Sequence, residues 1–151
     1  MIVIDTHWDH EPLRIATEYF QRTLGISDTC DIFVSSGALP VSLNGATTGV
    51  KDKVRIILNN DSVVQPIPVL EVLAHEMVHA HQLNRGDLIL PDAIFGANQV
   101  LVWKGERIPA LNALILAKMG VAPWEPEAYG IQKELYLSLL DYVRSTYVKV
   151  S

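Results

Sequence analysis

The stretch His75-Glu76-Met77-Val78-His79 carries the residue types and spacing of a metal centre with a built-in base. On a helix, residues four apart lie one above the other, so the two imidazoles project side by side. Neutral imidazole nitrogen binds zinc at ~2.0–2.1 Å. Glu76 stands three residues before His79, so its carboxylate points to the same side of the helix. It can take a proton from a metal-bound water without being a ligand. The H-E-x-x-H spacing thus supplies two zinc ligands and a general base from one helical turn.

The motif needs a helix, and the surrounding residues provide one. No Pro or Gly falls between Val69 and Leu83, and Leu70, Leu73, Met77 and Ala80 recur at helical spacing. Pro66 and Pro68 precede the run, where proline is tolerated. Arg85-Gly86 follows it, a basic residue and then a terminating glycine. The bland alternative is a solvated face with two histidines and a glutamate. Val72-Leu73-Ala74 and Met77-Val78 argue against it, because they bracket the motif with core-type residues.

The other elements read as follows. Ile2–Ile4 is a short strand, and a helix runs from Asp9 or His10 to Gly25 with Leu13, Ala16, Tyr19, Phe20, Thr23 and Leu24 on one face. Asp31–Ser35 and Val54–Leu58 are strands. Positions 37–49 form a loop rich in Gly, Pro, Asn and Thr, with a short strand at Val41–Leu43. Asn98–Ile108 is a hairpin turning at Lys104-Gly105. Pro109 to Met119 is helical, and a last helix runs from Pro123 to about Tyr147, burying Ala128, Ile131, Leu135, Leu139 and Tyr142. This order makes one α+β domain over residues 1–151, with a small, mostly antiparallel sheet packed on the motif helix and a second long C-terminal helix.

A catalytic zinc needs a third protein ligand and an open position. A histidine six residues after His79 would supply it in one arrangement, but Arg85 stands there, and Gln82 stands where that arrangement has glycine. His81 points away from the His75/His79 face by helix geometry. His7 and His10 sit beside Trp8-Asp9 and Pro12 at an irregular start and read as surface residues. The remaining candidates are Glu125 and Glu127, in the first turn of the last helix. Their alternative role is to stabilise the positive end of that helix.

Here the chain resembles the gluzincin type of zinc peptidase, in which H-E-x-x-H is completed by a Glu on a second helix, often with Ala three residues later. Glu125-Pro126-Glu127-Ala128 has that order. The resemblance implies a minimal zincin-like fold, one zinc ion per chain, His75, His79 and Glu125 as ligands, and Glu76 as the catalytic base. Many such enzymes carry an Asp four residues after the Glu; this chain has Tyr129. On the face of Glu125, Tyr129 can hydrogen-bond a ligand or steady an oxyanion. The segment also looks like small prokaryotic and phage-encoded metallopeptidase-like domains, over about residues 54–140. SprT-type proteases are a nearer miss, since no suitable third His follows His81.

Composition narrows the function. With 49% hydrophobic and 19% charged residues among 151, the chain can bury a real core. A net charge of −5 argues against nucleic acid as partner. Cys30 is a lone cysteine and reads as a small buried hydrophobe. No signal peptide or membrane span is visible, so the expected setting is cytoplasmic by default, with no membrane partner. The expected activity is hydrolysis of a peptide or protein substrate by a zinc-activated water, as an endopeptidase rather than an exopeptidase. The alternative is a catalytically silent zinc-binding domain with a structural or protein-interaction role. The substrate is expected to add as a strand along Val54–Leu58.

Overall fold

A computed structural model describes residues 1–40, 43–60, 67–91 and 99–148. The elements in chain order are β1 (Ile2–Asp5), α1 (His10–Leu24), β2 (Asp31–Gly37), β3 (Gly45–Val50), β4 (Lys53–Asn59), α2 (Val69–Asn84), β5 (Leu88–Ile89), β6 (Val100–Trp103), β7 (Glu106–Pro109), α3 (Ala110–Lys118) and α4 (Glu125–Tyr147). The class is α+β. Val41 and Asn98, which the sequence places in a strand and a hairpin, lie outside the described residues.

The expected sheet is two sheets. The larger has strand order β1-β2-β4-β3, and the smaller is the antiparallel set β5-β6-β7. Within the larger sheet, β1 pairs β2 in parallel from Ile2↔Ile32 to Asp5↔Ser35, and β2 pairs β4 in parallel from Asp31↔Lys53 to Gly37↔Asn59. Only β3 runs antiparallel, against β4. The β1–β2 pairing has a physical reason: α1 is the crossover that β1 and β2 need to point the same way.

Alternation selects the buried face of this sheet. Ile32 and Val34 on β2, and Val54, Ile56 and Leu58 on β4, are buried with Leu13, Ala16 and Phe20 of α1 and Leu73 and Met77 of α2. The other face carries Phe33, with Lys53 and Arg55 over its ring. Helix α2 lies at the centre of the molecule, touching α1, α4, β3 and β4. Its residues from Val72 to Ala80 are buried without interruption. Helix α4 buries Ala128, Leu135 and Leu139, with Ile131 and Tyr142 partly covered against the same core.

The glycine-rich segment read as a loop contains strand β3, and this changes where the sheet ends. Strand β4 is interior, between β2 and β3, so it offers no edge for an added strand. The edge is β3. Two glycines make that strand possible. Gly49 has φ 134°, and a Cβ there would meet the Lys53 carbonyl oxygen at 2.3 Å. Its backbone therefore closes a tight hairpin that a side chain would block. Gly45 faces α2, where a Cβ would stand 3.0 Å from Glu76 Cγ and 3.2 Å from Val72 Cγ1. β3 can press against the motif helix because Gly45 has no side chain.

Candidate metal centre

Helix α2 turns His75 and His79 to one side, toward the first turn of α4. His75 Nε2 and His79 Nε2 are 3.2 Å apart. Glu125 Oε1 lies 3.3 Å from His75 Nε2 and 2.5 Å from His79 Nε2. These three atoms could hold one metal ion. Tetrahedral ligands at zinc bond lengths of ~2.0–2.2 Å stand ~3.3 Å apart. Two edges of the triangle match that spacing, and the third is a short charge-assisted hydrogen bond. Two imidazoles and one carboxylate are a donor set that suits zinc.

The other nitrogen of each histidine is held by a glutamine. His75 Nδ1 is 2.6 Å from Gln132 Oε1, and His79 Nδ1 is 2.8 Å from Gln82 Oε1. Each amide oxygen accepts, so each Nδ1 donates its proton there and each Nε2 is the nitrogen turned toward Glu125, the one that would ligate an ion in place of its hydrogen bond. The glutamines are themselves anchored. Gln132 Nε2 donates to Glu71 Oε2 at 3.2 Å. Gln82 Nε2 donates to the Trp124 carbonyl at 2.9 Å and to Glu127 Oε1 at 2.8 Å.

Glu127 is engaged away from the two histidines. Its carboxylate takes two bonds from Arg85, at 3.0 Å and 2.7 Å, in a bidentate pair. The hydrogen-bonded Arg85 guanidinium holds its carboxyl below the usual range. Arg85 also donates to Asp87 at 2.7 Å. His81 lies beside this pair rather than in the site, 3.4 Å from Arg85. Burial and then the Arg85 charge push its imidazole down. His7 and His10 bond Ser36 and the Thr6 carbonyl, elsewhere on the surface.

The electrostatics favour a cation between the ligands. Burial pushes the Glu125 carboxyl up, but its hydrogen bonds to His75 and His79 outweigh this and hold it at about 2. Burial pushes His79 down; the Glu125 hydrogen bond and the Glu76 charge outweigh that and leave it above its usual value. An upward shift despite burial marks a point where positive charge is stabilised.

Glu76 is buried next to this group but bonded elsewhere. Thr47 Oγ1 on β3 lies 2.7 Å from Glu76 Oε1 and donates to it. The edge strand thus holds the carboxylate against the cleft wall. The cleft has a volume of about 480 Å³. Besides the site residues, Leu43, Ile67, Val72, Leu88, Leu90 and Trp124 line it. Tyr129 also borders it, 65% exposed, with its ring edge-on to His75 at 4.6 Å between centroids. Burial, then the charges of Glu125 and Glu76, raise its phenol. The phenol ring covers one side of His75.

All five expected site residues, His75, Glu76, His79, Glu125 and Tyr129, therefore border one cleft. Sequence reasoning missed Thr47, Gln82 and Gln132. Gln82 had a usable signal, since it lies three residues after His79 on the same helix, within reach of its ring. Thr47 and Gln132 had none, because their partners are 29 and 57 residues away.

Compared with protein-family models, curated proteins and solved structures, the chain matches none.

Proposed function

We propose that the chain is a zinc-dependent metallopeptidase of the gluzincin type that cleaves peptide bonds within a polypeptide. The observation that carries this reading is the convergence of His75 Nε2, His79 Nε2 and Glu125 Oε1 beside a fourth group, Glu76, that is held out of the ligand set. A purely structural zinc site needs four closed ligands and no general base. Three ligands with a carboxylate beside them, at the wall of an open cleft, suit catalysis.

Bound zinc supplies Lewis acidity, polarising a peptide carbonyl and making water acidic enough to attack near neutral pH. The chain's residues do the rest. His75, His79 and Glu125 hold the ion. Glu76 takes the proton of the attacking water on a carboxylate oxygen and delivers it to the leaving amine nitrogen. Thr47 keeps that carboxylate in place throughout. The outer edge of β3, unpaired among the described residues, is where an extended substrate can pair its backbone.

The cleft supports endopeptidase action. Among the described residues its lining contains no Lys or Arg. Arg85 is committed to Glu127 and Asp87. Among the described lining residues no cation is placed to seat a substrate's terminal carboxylate, whereas an internal segment with apolar side chains meets Leu43, Ile67, Leu88 and Leu90.

The test is Glu76→Gln on the zinc-loaded chain, assayed with an internally quenched peptide of apolar sequence. Turnover should fall about 10²- to 10⁴-fold, the usual range for loss of a general base. Zinc content should not change. Zinc binding with no turnover in the wild type, over a broad peptide set, would instead favour the silent zinc-binding module.

A further inference from the structure

Gln82 is a fully buried polar residue at the end of α2. Its side chain meets three groups on two helices. Oε1 faces His79 Nδ1, and Nε2 donates to the Trp124 carbonyl and to Glu127 Oε1. The two α4-side partners bracket the third ligand, since Glu125 lies between Trp124 and Glu127 in sequence. The amide orientation is settled by these partners. Turned over, its oxygen would face a carbonyl and a carboxylate, both acceptors.

We propose that Gln82 is the positioning residue that joins the two halves of the metal centre. One end fixes the proton of His79 on Nδ1, and the other fixes the turn that presents Glu125. Arg85 completes the clamp by holding Glu127 from the far side. The clamp contains no metal ligand, so it assembles the site before an ion arrives. Preassembly removes an ordering cost from metal binding. An amide is required here because it alone accepts on one side and donates twice on the other. Glutamate at this position would still accept from His79. It would lose both donors and set a second carboxylate against Glu127.

The inference rests on the metal-centre reading, and the experiment separates the two. Zinc affinity is measured by chelator competition on the full chain, for wild type, Gln82→Glu, Glu127→Leu and the double swap Gln82→Glu/Glu127→Gln. Thermal melting of the metal-free proteins runs in parallel. Gln82→Glu should weaken zinc about 10- to 100-fold, the usual cost of removing a partner behind a ligand. Glu127→Leu, at a less buried position, should fold and weaken zinc about 3- to 10-fold. The double swap reverses the donor and acceptor and should recover about tenfold over Gln82→Glu. Cobalt(II) spectra should show an altered coordination geometry in Gln82→Glu and its return in the swap, which a general loss of stability would not produce. Zinc affinity unchanged in both Gln82→Glu and Glu127→Leu overturns the clamp while leaving the metal centre standing. Melting that falls with no change in affinity or spectrum makes Gln82 a structural residue and also overturns it. Absence of zinc binding in the wild type overturns the metal centre and the clamp together.

Discussion

Helices α2 and α3 are built from the same local signals and meet opposite fates. Each begins after a proline N-cap, Pro68 or Pro109, with no side-chain cap. Each ends before a left-handed glycine, Gly86 or Gly120. Both are rich in apolar residues, α3 the more uniformly. Yet α2 buries everything from Val72 to Ala80, while α3 buries only Ala113. Leu111, Leu114, Ile115 and Met119 of α3 or its end remain exposed. Local sequence sets where a helix starts and stops; its neighbours set what is buried. Helix α2 has α1, α4, β3 and β4 around it, whereas α3 rests on β6 and β7. That enclosure is also what lets α2 carry polar chemistry. Among the described residues, no buried side-chain nitrogen or oxygen lacks a hydrogen-bond partner. His75, Glu76, His79 and Gln82 all draw theirs from elements packed against α2 or from α2 itself.

Substitutions can sharpen or break this contrast. The largest effect is expected at the centre of α2. Met77→Ala removes a fully buried side chain from the core-facing side of the motif turn and should cost about 2–5 kcal/mol of stability, read by denaturant unfolding. Next comes the contact between β3 and α2. Gly45→Val places atoms where Glu76 Cγ and Val72 now sit and should cost about 1–3 kcal/mol, with turnover falling while zinc is retained. Stability and turnover equal to wild type would mean that β3 does not press on the motif helix. Thr47→Val keeps the shape and removes the hydroxyl that donates to Glu76. A bond to a charged group contributes about 1.5–3 kcal/mol, so kcat should drop roughly tenfold or more at unchanged zinc content. The smallest effect is expected on α3. Leu114→Ser changes an exposed position and should shift stability by less than about 0.5 kcal/mol. A loss of 2 kcal/mol or more there would show that α3 is covered after all.

Much of this molecule is legible in the sequence because its signals are local. The H-E-x-x-H spacing, the apolar periodicity around it and the Pro and Gly boundaries place α2 to within a residue or two. The β-formers of Asp31–Ser35 and Val54–Leu58 lie within β2 and β4, though their alternation is too weak in the sequence to say which face of Val54–Leu58 is buried. Strand β3 escapes because Gly45-Ala46-Thr47-Thr48-Gly49 has the composition of a loop. Its glycines answer to α2 and to the hairpin, neither of which shows in local composition. The short turn Lys51-Asp52 between Val50 and Lys53 is the signal that could have revealed it. For the same reason Glu125 and Glu127 cannot be told apart from the residues alone. What separates them is Arg85, forty-two residues before Glu127 in sequence and paired with it in space.

Zinc stoichiometry by mass spectrometry tests the central assignment most directly, on wild type, Glu125→Ala and Glu127→Ala reconstituted with zinc and dialysed. The expected result is one zinc per chain in wild type and in Glu127→Ala, and none in Glu125→Ala. Full zinc in Glu125→Ala, or none in wild type, would contradict a centre built from His75, His79 and Glu125.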